Sequence, residues 1–206
     1  MCIRDRYAQR YRTLVQRVAD IEKVVMGTEG ALAEAVARYY AKLLAYKDEY
    51  EVARLYSRPE FIARLRTQFD GDVRLGINLA PPLLSKRDPR TGRYAKKEFG
   101  PWILQAFKLV AKFKFLRGTA LDLFGYSAHR KQERQLIHDY KNLMQTLMEG
   151  LTVENHAVAV KLARLPEQIR GYDVVKASSV DEAAVQRAQL LVEFSGRKAQ
   201  SLAVEA

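Results

Sequence analysis

Apolar residues at Leu14, Val18, Ile21 and Val25 recur at intervals of three and four, the spacing that lines one face of an α-helix. They predict an amphipathic helix over Tyr7 to Met26, stopped at Gly27. Leu32, Val36, Tyr39, Leu43, Tyr46 and Tyr50 keep the period, predicting a longer helix from about Glu29 to Tyr56 with an i,i+4 pair between Glu34 and Arg38. Ser57 and Glu60 around Pro59 match a capping box, opening a third helix that ends near Asp70-Gly71. The period then falls to two. Val73, Leu75, Ile77 and Leu79 alternate with Asp72, Arg74, Gly76 and Asn78, as in a strand with one buried face, and Pro81-Pro82 ends the run. Asp88-Pro89-Arg90-Thr91-Gly92 carries the chemistry of a β-turn, so the chain is expected to return as a second short strand.

From Pro101 the helical period resumes. Ile103, Phe107 and Val110 share one face, Gln105, Lys108 and Lys112 the other, with Gly118 as the stop. After an irregular Thr119 to Tyr126, Ser127 can cap a long helix carrying Leu136, Tyr140, Leu143 and Leu147 and ending at Gly150. Thr152 is expected to cap a helix through Val153, Ala157, Val160 and Leu165 up to Pro166, followed by a short turn over Glu167 to Arg170 that ends at Gly171. Ser179 and Glu182 match another capping box, opening a last helix through Val185, Leu190 and Phe194, with a fraying tail after Gly196. The fold class is therefore α+β and mainly helical: about six or seven helices with a small antiparallel sheet or hairpin around residues 72–98. By this reading residues 1–6 are a non-native start, 7–56 a helical arm continuing from a missing upstream domain, 57–196 an α-rich domain, and 197–206 a tail.

A chain of 206 residues, 48% hydrophobic and 29% charged, is long enough to bury a sizeable core. No stretch approaches the roughly 20 apolar residues that span a bilayer, so a cytoplasmic protein without a membrane partner is expected. The net charge of +11 is concentrated: Ser85 to Arg117 holds ten Lys/Arg against Asp88 and Glu98. Such a segment attracts phosphates, nucleic acid or acidic proteins. Tyr94, Phe99, Trp102, Phe107 and Phe113 interleave with these cations, yet the helical spacing of Phe107 points to core packing, which leaves only a weak nucleic-acid signal.

Candidate chemistry is sparse. Cys2 is the only cysteine, and His129, His138 and His156 have no metal-ligand spacing to one another. There is no Gly-x-Ser-x-Gly turn, Walker loop or Gly-x-Gly-x-x-Gly loop. No catalytic, cofactor-binding or metal-binding residue is assigned.

Several strings, taken in order, suggest a relationship. They are Lys42 to Leu55, Leu79-Ala80-Pro81-Pro82-Leu83-Leu84, Arg87-Asp88-Pro89 with Thr91-Gly92, and Lys97-Glu98-Phe99-Gly100-Pro101-Trp102. Leu116-Arg117-Gly118-Thr119, Phe124-Gly125-Tyr126 and Leu165 to Tyr172 follow. Together they resemble the C-terminal domain of the fused indolepyruvate ferredoxin oxidoreductases, of the 2-oxoacid:ferredoxin oxidoreductase family. One departure is that Asp173-Val174 stands before Val175-Lys176 where the family runs through Gly-His.

The resemblance implies a parent enzyme that oxidatively decarboxylates aryl 2-oxoacids to acyl-CoA on thiamine diphosphate and passes electrons through iron-sulfur clusters to ferredoxin. It implies no cofactor in this segment, since the thiamine-binding Gly-Asp-Gly has no counterpart: Gly71-Asp72 is followed by Val73. The implied partners are upstream domains of the same polypeptide, ferredoxin, and a second copy in a homodimeric parent. Arg54, Arg87, Asp88, Lys97, Arg117 and Arg170 are expected first to stabilise turns and form salt bridges inside the domain, with docking as the sharper hypothesis. Arg87, Arg90, Arg93, Lys96, Lys97, Lys108, Lys112 and Arg117 are the candidate docking residues for an acidic ferredoxin or an acidic face of the parent. The alternative is a free-standing basic helical module that binds nucleic acid.

Overall fold

The computed structural model describes residues 3–28, 30–46, 48–69, 71, 74–79, 90, 95, 97–171 and 173–196. Among them lie eight α-helices, α1 Ile3–Met26, α2 Ala31–Leu44, α3 Glu49–Tyr56, α4 Pro59–Gln68, α5 Ile103–Lys112, α6 Ala128–Gly150, α7 His156–Arg164 and α8 Asp173–Phe194. Two strands, β1 Ile77–Leu79 and β2 Lys97–Phe99, pair antiparallel with Ile77 opposite Phe99 and Leu79 opposite Lys97. This is the mainly helical α+β fold with a small sheet that the periodicity predicts.

Compactness divides the chain in two, and the division is not sequential. One unit holds α1, α2 and everything from Glu133 onward; the other is the intervening stretch Tyr46–Gln132. In the first unit, Leu14 and Val18 of α1, Val36 and Tyr40 of α2, Met144 and Leu147 of α6 and Leu162 of α7 form one apolar core. Tyr11, Tyr40 and Tyr140 stack in sequence through it, with ring centres 6.0 Å apart at each step. The Glu34–Arg38 pair forms as predicted, at 2.9 Å on the exposed side of α2. In the second unit, Ala53, Ile77, Ile103 and Phe107 make a smaller core.

Four expectations need correction. The long helix over 29–56 is two helices, because the chain leaves α2 at Ala45 and restarts at Asp48, whose carboxylate accepts from the Tyr50 amide at 3.1 Å. An N-cap aspartate outcompetes continuation of an otherwise periodic pattern. Ser57 does not cap α4: its hydroxyl donates back to Arg54 O at 3.1 Å and closes α3, while α4 starts at Arg58-Pro59 without a side-chain cap.

The helix expected from Thr152 starts a turn later at His156, since Asn155 accepts from the Thr152 amide at 2.8 Å and holds that segment as a turn, leaving Val153 exposed. Its buried face is Val158, Ala159, Leu162 and Ala163. Ser179 lies inside α8, 2.9 Å from Lys176 O, rather than at its start.

Ser127 does cap α6, accepting from the Arg130 amide at 3.2 Å. The expected turn at Asp88 to Gly92 lies outside the described residues except for Arg90, and so do Pro81-Pro82 and the tail after Gly196.

Candidate docking site

Tyr50, in the first turn of α3, is buried at the centre of the second unit's polar network. Its hydroxyl donates to Asp122 at 3.2 Å, and its ring meets Phe124 edge-on at 5.2 Å. Asp122 is buried because three donors satisfy it: besides Tyr50, the amides of Gly118 and Gly125 reach it at 2.9 and 3.0 Å. Gly118 turns there at φ +78°, and a Cβ on Gly125 would meet the Asp122 carboxylate at 2.7 Å, so both positions require glycine. On the other side of Tyr50, Asp48 pairs with Arg117 and lies 3.8 Å from Arg130. Arg130, itself buried, also pairs with Glu49 and sits 4.6 Å from the Tyr46 ring centre.

Burial pushes the Tyr50 hydroxyl up to about 12, helped by the neighbouring Asp122, Asp48 and Glu49 charges. A phenol held protonated by carboxylates is a hydrogen-bond donor rather than a proton acceptor. Glu51 is driven the opposite way, down to about 2, by hydrogen bonding from Arg54 together with Lys114 at 3.1 Å.

The first unit has its own buried charge. Glu22 of α1 accepts from the Gly30, Leu32 and Ala33 amides at 3.1, 2.9 and 2.8 Å, and His156 Nε2 lies 2.6 Å away. Burial alone would raise its pKa, but the bonds from His156 and the three amides together hold it below the ordinary value. The carboxylate stands at the start of α2, where the helix dipole is positive. Lys42 ties the other end of α2 to Pro166 O, Glu167 O and Ile169 O at 2.7, 3.2 and 3.1 Å, while Tyr39 donates to Glu167 at 2.7 Å. Lys176 pairs with buried Glu133.

These networks engage the buried acids and bases with one another. Asp48, Asp122 and Glu22 are occupied by guanidinium, phenol, amide or imidazole donors, and no group of three or more His, Cys, Asp or Glu among the described residues could hold a metal. One cysteine cannot supply the four thiolates of an iron-sulfur cluster. The residues present therefore do not suit an iron-sulfur cluster.

The predicted docking residues separate. Arg87, Arg93 and Lys96 lie outside the described residues, as does Asp88. Arg117 turns inward to Asp48, so it braces the fold, and Arg54 does the same with Glu51. Arg170 folds back onto Glu167 O at 3.0 Å. Arg90 and Lys97 are exposed. Lys108 and Lys112 project from α5 one turn apart, exposed and without an ion-pair partner among the described residues.

With Ser57, Gln105 and Leu109 these two lysines line an open depression of about 510 Å³. Trp102 and Phe113, the aromatics expected among these cations, are both exposed, Trp102 by 62%, and Leu109, to which the sequence pattern assigned no role, is 57% exposed between them. The signal was present, because steps of seven and four residues place Trp102, Leu109 and Phe113 on one stripe opposite the Phe107 face.

Among the described residues, some of the strings that carry the resemblance meet, each contact lying within one unit. The Lys42 to Leu55 string holds Leu165 to Tyr172 through Lys42 in the first unit, and Leu116 to Thr119 through Asp48 and Arg117 in the second. No helix among the described residues is long and apolar enough to cross a membrane. No curated protein and no solved structure matches the chain. A family profile described as a family of unknown function, DUF6537, matches residues 4–189. That match covers nearly all of the 206 residues, and the chain belongs to the DUF6537 family.

Proposed function

We propose that this chain is the non-catalytic C-terminal accessory domain of an indolepyruvate-type 2-oxoacid:ferredoxin oxidoreductase, a cytoplasmic enzyme. Its part is to brace and dock, while thiamine diphosphate and iron-sulfur clusters elsewhere in the parent supply the decarboxylation and electron transfer. The observation that carries this reading is the destination of the resembling residues. Lys42, Asp48, Glu51, Arg54 and Arg117 all end in ion pairs or carbonyl ties within their own unit, which is the pattern of residues kept for shape. A general acid or base needs an unengaged group within reach of a substrate, and these groups are engaged.

The test is the coding sequence on the N-terminal side of Tyr7. It is expected to contain a thiamine-binding Gly-Asp-Gly with a downstream Asn-Asn and ferredoxin-type cysteine clusters in the same reading frame. An unrelated domain there would overturn the reading.

A further inference from the structure

Helix α5 is amphipathic in an unusual way. Its inner face is Ile103 and Phe107, buried in the second unit's core. Its outer face mixes the polar Gln105, Lys108 and Lys112 with an exposed apolar stripe, Leu109 between Trp102 and Phe113 at the two ends of the helix. Exposed large apolar side chains placed together, with a charged margin, are the composition of a protein interface: an aromatic and aliphatic centre inside a polar rim. The rim here carries one sign. Arg117 is paired with Asp48, and Lys114 and Arg54 share Glu51, leaving Lys108 and Lys112 as the unpaired cations on this helix among the described residues.

From this we infer that the outer face of α5 binds a protein whose docking surface is acidic around an apolar patch. The identity of that protein as the parent's ferredoxin rests on the function proposed above; the acidic and apolar character does not. Nucleic acid fits less well. Phosphate recognition favours arginine forks, and the neighbouring guanidiniums of Arg54 and Arg117 are already tied to carboxylates. Base stacking needs open ring faces, whereas the Trp102 ring packs edge to face with Phe99 at 5.8 Å and the middle of the stripe is aliphatic Leu109.

Trp102 is the only tryptophan in the chain, so its fluorescence reports this face directly. The full chain is titrated with an acidic ferredoxin, with polyglutamate, with a single-stranded oligonucleotide and with phosphatidylserine vesicles, each at low and high salt. A saturable change in emission with ferredoxin is expected. Lys108→Glu with Lys112→Glu should weaken the apparent affinity by about tenfold or more at low salt. Lys141→Glu, an exposed charge change elsewhere, should leave it near wild type.

Leu109→Ser should weaken binding at both salt concentrations, because its contribution is apolar. If the double reversal disturbs folding, Lys108→Gln with Lys112→Gln and the wild-type salt series carry the same comparison. The proposal is overturned if the reversals match Lys141→Glu, if only the oligonucleotide or the vesicles shift Trp102, or if neither acidic probe does. A response to polyglutamate through Lys108 and Lys112 without one to ferredoxin would keep the surface and remove the oxidoreductase assignment.

Discussion

Glu22 shows how much one side chain can hold. Its carboxylate accepts three amides from the start of α2 and faces His156, partners that no local pattern in the sequence connects. Glu22→Ala would strand those amides in a buried site, at a cost of about 3 kcal/mol; chemical denaturation should show it as a lower midpoint with an unchanged slope. Glu51 permits a pH test. Its folded pKa, about 2, lies below its ordinary value of 4.5, so its stabilisation is complete above that ordinary value and is lost as pH falls toward the folded one. Thermal melts of the wild type should therefore drop more steeply than those of Glu51→Gln between about pH 5 and pH 2. Equal slopes would mean that the Arg54 and Lys114 contacts contribute nothing in solution.

Among the helices, the informative positions are the ends. The apolar period runs unbroken from Leu32 to Tyr50, which is why periodicity alone predicts one helix there. The interruption was written in Asp48-Glu49-x-Glu51, a capping residue followed by acids in a first turn, but the choice belonged to Arg117 and Arg130, which draw the Asp48 carboxylate away from solvent. Asp48→Ala removes both cap and ion pairs and should cost about 3 kcal/mol. Two serines give a contrast: Ser127→Ala should cost about 1 kcal/mol, and Ser57→Ala about half that or less. Comparable losses at Ser57 and Ser127 in urea melts would contradict the capping geometry. Ser127 was readable because an irregular stretch precedes it and a long apolar period follows; Ser57 and Ser179, though each is followed three residues on by a glutamate, turned their hydroxyls to backbone carbonyls instead.

Taken entire, the chain builds unequal cores. Twenty buried residues form the first unit's cluster and four the second's among the described residues. Hydrogen exchange should accordingly be slower in α2 and α7 than in α5 and the β1–β2 pair, and Leu162→Ala in the larger core should cost about 3 kcal/mol. Faster exchange in α2 than in α5 would contradict that ordering. Composition and period were enough for the helical class, the small sheet, the concentration of positive charge and the Ile103–Phe107 inner face, because each depends on neighbours within a few residues. Tertiary structure decided the rest. The division into units joins α1 and α2 to a segment more than eighty residues away in the chain, beyond the reach of any local pattern. It also separated the candidate cations among the described residues. Arg117 was drawn inward because a buried Asp48 needs a counter-charge, and Lys108 and Lys112 stayed outward because the face beneath them was already filled by Ile103 and Phe107.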